Sequence, residues 1–285
     1  MQRCGERTLL VLTILIGPFD SAVPVSESGR PAGVPVVIDE HGGIVVAVRV
    51  GDAGPFDFLL DTGASRSLVA DDLAQQLGAP LVARSEVVTS AGTELRGVVR
   101  LAALSAAGAH AESVIAPVVP AARLSALGAS VRGILGQDFL SAFNYTLDYR
   151  RHHLTWDAGT SCGDPGAVRL MGAEGRFVME LPQPGSRRPL RLVPDSGADA
   201  LVLFDGHIEN ALGIPDRGVT LAGLAGNRSA RQIVVSRLVV GPVTLRDRRA
   251  VVVERRDENA DGLLPLHEFS SVSFAARGTC LIVRK

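Results

Sequence analysis

The chain is poor in aromatic residues. Phe, Tyr and Trp make up 4% of it, with a single Trp, so its core must be aliphatic. It also lacks any long block of charge of one sign. Lys plus Arg number 29 against 30 Asp plus Glu, a formal charge of −1, which removes the electrostatic reason to expect nucleic acid or an anionic membrane as a partner. Small basic clusters such as Arg187-Arg188 read as solvated turns. After Ile16 no stretch is long and apolar enough to cross a bilayer. His152, His153 and His267 stand without Cys, Asp or Glu at metal-ligand spacing, so no metal and no other cofactor is expected.

What is present is a folded, turn-rich composition: 46% apolar and 21% charged residues, with 31 Gly and 16 Pro. At 285 residues the chain can form one large domain or two of about 100 to 150 residues. Its beginning has the layout of a secretory signal peptide, expected over residues 1–22. Arg3 and Arg7 precede the apolar run Leu9 to Ile16, then come Gly17-Pro18 and the small pair Ser21-Ala22. The run is short for a membrane span, with an uncleaved anchor as the other reading. The expectation is an exported protein, periplasmic or extracellular. Of three cysteines, Cys4 lies in this leader. Cys162 and Cys280 remain, either bridged, tying the C-terminus back to the middle of the chain, or as two free thiols.

The organising feature is a repeat. Phe58-Leu59-Leu60 runs into Asp61-Thr62-Gly63-Ala64-Ser65, and 134 positions on Leu192-Val193-Pro194 runs into Asp195-Ser196-Gly197-Ala198-Asp199. Before Asp61, Ile44 to Val50 and Phe56 to Leu60 read as a hairpin of strands; before Asp195, Phe177 to Leu181 and Leu190 to Val193 do the same. After each acid, Ser67 to Gly78 and Ala200 to Leu212 have the spacing of a short helix that stops at Gly. Then come a hairpin that turns at Ala91-Gly92, a further strand pair, and a glycine-led apolar segment, Gly133-Ile134-Leu135 or Gly262-Leu263-Leu264. Asp61 to Gly133 is 72 positions and Asp195 to Gly262 is 67. Matched order and spacing indicate a duplicated unit. Residues 32–157 and 168–285 are the expected lobes, with 158–167, rich in Gly and containing Pro165 and Cys162, as linker.

Two copies packed about an approximate twofold axis bring equivalent turns face to face. Asp61 and Asp195 would then share a site in which both cannot ionise cheaply, so the pair holds one proton and acts as acid and base together. That suits hydrolysis of an amide by water, with no metal and no nucleophilic side chain. Gly63 and Gly197 let the backbone approach the carboxylates, and Thr62 and Ser196 can hydrogen-bond across the base of the site. Asp138 reads as a helix cap, Ser65 and Asp199 as partners of local backbone, and Trp156 as core.

Asp-Thr-Gly-Ala-Ser and Asp-Ser-Gly-Ala-Asp, each followed by a Gly-apolar-apolar segment, resemble the aspartic proteases of the pepsin and retropepsin clan. The chain is similar to a secreted bacterial protein with two retropepsin-like lobes in tandem, over roughly residues 34 to 285. The resemblance implies an all-β, bilobed fold of two pseudo-twofold-related β-barrel lobes with short helices. It further implies a monomeric aspartic endopeptidase with Asp61 and Asp195 as dyad. Ala91 and Gly92 would lie in a flap, over a peptide or protein substrate bound as an added strand. The second copy departs from the first: Pro194 stands for Leu60, Pro265 for Gly136 and His267 for Asp138. These changes leave a decayed, peptide-binding or scaffold protein as the alternative. Pepsins commonly carry a hydroxyl where this chain has Ala64 and Ala198, so an optimum less acidic than pepsin's is expected.

Overall fold

A computed structural model describes residues 8–10, 14–16, 25–27, 33–89, 92–128, 130–156, 159, 161–183, 188–205, 213–223, 226–254, 257, 259–275 and 279–285. The fold is all-β with short helices, and its two halves repeat one strand-pairing order. In the first half, Ile44–Val50 pairs antiparallel with Ala53–Leu60, and Ala53–Leu60 lies parallel to Val131–Leu135. Val131–Leu135 runs antiparallel to Leu68–Ala70, which is parallel to Ala109–Val119. Gly92–Ala106 and then Leu81–Thr89 follow outward, both antiparallel. In the second half the same places are taken by Arg176–Leu181, Leu190–Asp195, Gly262–Pro265, Leu201–Phe204, Val243–Val253, Gly226–Val240 and Gly213–Gly223.

The strands that carry the acids are buried on both faces, which is why they read as continuous apolar runs rather than alternating ones. Phe58 and Leu60 are fully buried, as are Leu192 and Val193. Close packing behind them depends on glycine. A Cβ at Gly133 would stand 2.2 Å from the Phe58 ring, and one at Gly262 would stand 2.1 Å from the Val202 carbonyl oxygen.

Two stretches read as helix from their spacing are partly strand. Only Asp71–Gln76 is helical in the first copy, and Leu68–Ala70 is extended. In the second copy Leu201–Phe204 is a strand, and residues 206–212 lie outside the described residues. Tertiary pairing decides the matter. Leu68, Val69 and Ala70 are fully buried between two neighbouring strands, a position that favours extended backbone over helical spacing.

The halves are joined underneath by a shared sheet. Tyr145–Asp148 pairs with His153–Trp156 on one side and with Ser271–Ala275 on the other, and Ser271–Ala275 pairs with Cys280–Arg284. The few aromatic residues concentrate here: Tyr145 stacks on Phe274 with ring centroids 4.7 Å apart, and Phe139, Phe143 and Trp156 pack beside them. The Trp156 indole donates to the Ala106 carbonyl at 3.1 Å. Cys162 and Cys280 form a disulfide with Cα atoms 5.7 Å apart, joining the segment between the lobes to the last strand. Near the N-terminus, Thr8–Leu10 and Ile14–Ile16 are short strands beside Gly213–Gly223 and Leu81–Thr89. No helix among the described residues is long and apolar enough to cross a membrane.

Candidate active site

Each acid stands at the C-terminal end of a buried strand, where the chain leaves the sheet. Asp61 Oδ1 accepts the N–H groups of Gly63 at 2.8 Å and Ala64 at 2.9 Å, and Asp195 Oδ1 accepts that of Gly197 at 2.8 Å. Both side chains are fully buried. The other oxygen of each, Oδ2, has no hydrogen-bond partner among the described residues, and the two carboxyl groups are close enough to perturb one another's ionisation. Two buried carboxyls in such contact cannot both ionise cheaply, so the pair is suited to holding one proton between them.

Four hydrogen bonds lock the turns together across the lobe junction. Thr62 N–H donates to Ser196 Oγ at 3.0 Å and Ser196 N–H to Thr62 Oγ1 at 3.0 Å. The hydroxyls then donate into the opposite lobe, Thr62 Oγ1 to the Pro194 carbonyl and Ser196 Oγ to the Leu60 carbonyl, each at 2.7 Å. The arrangement is reciprocal, and every member is buried. The glycines are required for a reason that is invisible along one lobe. A Cβ on Gly63 would lie 2.5 Å from Asp195 Cγ, and one on Gly197 would lie 2.9 Å from Asp61 Cγ. Each glycine makes room for the other lobe's carboxylate.

Burial and the facing Asp195 carboxylate hold Asp61 well above the usual carboxylate range, against the pull of the Gly63 and Ala64 N–H groups. Burial likewise raises Asp195 to about 7, opposed by the Gly197 N–H, the bond to Asp61, the Arg176 guanidinium and the Ala198 N–H. Both carboxyls are thus raised by burial, and as an interacting pair they titrate together, one proton at a time.

Behind the first turn, Gln137 Nε2 donates to the Thr62 carbonyl at 2.9 Å and Gly136 N–H to Ser67 Oγ at 3.1 Å. Asp138, expected as a helix cap, is placed otherwise: its Oδ1 accepts from both the N–H and the Oγ of Ser67, at 2.8 and 2.7 Å. It ties the Gln137–Leu140 helix to the loop before Leu68, 71 residues away, and no side chain caps that helix. In the second lobe His267 takes the corresponding place and bonds to the Ala198 backbone. Burial pushes the His267 imidazole below its ordinary value. Pro194 leaves the strand intact on one side only: Leu192 to Asp195 pairs with Gly262–Pro265, but the ladder with Arg176–Leu181 ends at Leu192.

Of the flap pair, Ala91 lies outside the described residues, and Gly92 begins a strand facing Thr89 across the hairpin tip. Sequence reasoning did not single out Arg176. Its side chain is fully buried, and Nη2 meets Asp257 Oδ2 at 2.6 Å. The signal that could have found it is the repeat itself, because the second hairpin opens with an arginine where the first has Gly43-Ile44.

Two structurally repeated β lobes, with one buried carboxyl from each meeting at the junction, define an aspartic-protease architecture. The chain belongs to the aspartyl protease family, whose profile matches residues 46–139 and 185–266, together more than half of its length. No curated protein matches it.

Proposed function

We propose that this protein is an endopeptidase that hydrolyses peptide bonds with water activated between Asp61 and Asp195. The observation that carries the proposal is the reciprocal Thr62/Ser196 lock, which holds two buried carboxyls beside one another although they are remote in sequence. In the reaction, ionised Asp195 takes a proton from the water as it attacks the carbonyl carbon. Protonated Asp61 donates towards the developing oxyanion and later to the leaving nitrogen. The N–H groups of Gly63, Ala64 and Gly197 hold the carboxylates in place at no reorganisation cost.

The long hairpin of Leu81–Thr89 and Gly92–Ala106 is the element suited to cover an extended peptide. Export supplies a consistent setting for a chain bridged between Cys162 and Cys280, since disulfides persist in oxidising compartments. The test is cleavage of a denatured protein or a peptide library by the purified protein, with Asp61→Asn and Asp195→Asn as controls. Turnover that disappears in both variants supports the enzyme. Peptide binding without turnover in the wild type supports the scaffold reading.

A further inference from the structure

The two lobes differ sharply at one position beside the acids. The second hairpin pairs Leu181↔Leu190, Glu180↔Arg191 and Met179↔Leu192, where its ladder ends; counted on past Pro194, Arg176 at the start of its strand is level with Asp195. In the first lobe the register Ile44↔Leu60, carried one step on, sets Gly43 against Asp61. Level with Asp61 the first hairpin thus carries no side chain, and level with Asp195 the second carries an arginine.

That guanidinium is held in an unusual way. The side chain is fully buried and engages Asp257 through Nη2 alone, while Nε and Nη1 find no acceptor among the described residues. Asp257 is fixed in turn, its Oδ1 accepting the N–H groups of Asn259 and Ala260 at 2.8 and 3.2 Å. The turn before Arg176 is pinned across the cleft, since a Cβ on Gly175 would lie 3.3 Å from the Ser65 Cβ. A buried arginine with only one of its donor groups paired is costly to keep, and fixed charge in a dry site acts strongly on what lies beside it.

We propose that Arg176 is a positioning residue of the dyad: its buried charge, metered by Asp257, makes Asp195 the ionised carboxyl and leaves the proton on Asp61. The duplicated site is in this way given a direction, with the base in the second lobe and the acid in the first. This assignment rests on the dyad reading given above. The charged and titratable groups around Asp195 are Asp61 from the first lobe, Arg176 from the neighbouring strand and the Tyr149 hydroxyl from the shared sheet. His267 bonds to the Ala198 backbone and answers mainly to Glu268 and Asp39. Among the described residues, Arg176 is the group that brings a positive charge to Asp195.

The experiment is an NMR titration of aspartate labelled with carbon-13 at Cγ, with the dyad signals assigned from Asp61→Asn and Asp195→Asn. It is run on the full chain whether or not peptide is cleaved, so loss of the enzyme reading and loss of this one are separate results. In Arg176→Gln the lower apparent pKa of the dyad is expected to rise by about one pH unit, as removal of a nearby charge in a partly screened site requires. Asp257→Asn, which keeps a carbonyl for the Asn259 and Ala260 N–H groups, is expected to move it the opposite way by exposing Asp195 to the unbalanced guanidinium. Arg176→Lys should return it most of the way to wild type. Should Arg176→Gln fail to fold, the downward shift in Asp257→Asn decides alone. A lower pKa unchanged in the folded variants, or shifted in the same direction by both charge-removing variants, overturns the proposal.

Discussion

Around Asp61 the chain supplies Gly43, Leu60, Gly136 and Asp138; around Asp195 it supplies Arg176, Pro194, Pro265 and His267. What the lobes share is an acid, a hydroxyl, a glycine and an alanine in each turn, and behind the turns one strand order and the glycine of the apolar segment, Gly133 or Gly262. The comparison teaches that the twofold relation is kept where atoms must meet closely, across the junction and behind each acid-bearing strand. Elsewhere each lobe supports its turn by its own means, through the Ser67–Asp138 bonds in the first and the His267 bond to Ala198 in the second.

The largest expected effect tests whether these unlike lobes contribute one half each. Asp61→Asn and Asp195→Asn should each lower kcat/KM by at least roughly a thousand-fold, as loss of a general acid or base does. The two losses should agree within about tenfold, because a shared proton cannot be half present. A variant retaining substantial turnover would show that one lobe works alone.

Next in size are the cross-lobe contacts of the glycines. Gly63→Ala places a methyl group 2.5 Å from Asp195 Cγ, and Gly197→Ala places one 2.9 Å from Asp61 Cγ. Overpacking in a buried site typically costs about 1–3 kcal/mol, and Gly63→Ala should sit at the upper end, above Gly197→Ala, in urea unfolding. Equal and negligible costs would mean that the turns do not meet as described.

Removing one hydroxyl of the lock sharpens the same point. Thr62→Val strands the Ser196 N–H and frees the Pro194 carbonyl, and Ser196→Ala strands the Thr62 N–H and frees the Leu60 carbonyl. Each should destabilise by about 1–3 kcal/mol, the cost of leaving buried groups unpaired. The double replacement should cost less than the sum, since both act on one network.

The smallest effect concerns pH. Both acids are raised in the folded chain, so the stability that they contribute is fully present below the unfolded carboxylate pKa. It is lost as pH rises through the folded value, about 7 for Asp195. Asp61→Asn removes the repulsion that develops there. Its melting temperature should exceed that of the wild type by a few degrees at pH 8, with the difference shrinking towards pH 4. For the same reason catalysis should be weak in strong acid, where both carboxyls are protonated.

Much of the molecule was legible in the sequence because its causes are local. The strands entering Asp61 and Asp195 announce themselves as apolar runs, and the repeat of turn and glycine-led segment reveals two lobes. What escaped has its cause elsewhere in the fold. Leu68–Ala70 and Leu201–Phe204 carry helical spacing yet are extended, because neighbouring strands claim their backbone. Asp138 looks like a cap until Ser67 is brought to it. Gly63 looks like a turn glycine, although Asp195 of the other lobe is what forbids a side chain there. Arg176 is marked in the sequence only by comparing the two hairpins, and its burial against Asp257 has its cause in a distant loop.

The most direct measurement is calorimetric titration of the protein with a statine-type analogue, which mimics the hydrated peptide carbonyl. One analogue should bind per chain, and binding should be lost when either Asp61 or Asp195 is replaced by Asn, since a single site draws on both. Two analogues per chain, or binding that survives replacement of either acid, would contradict a site shared between the lobes.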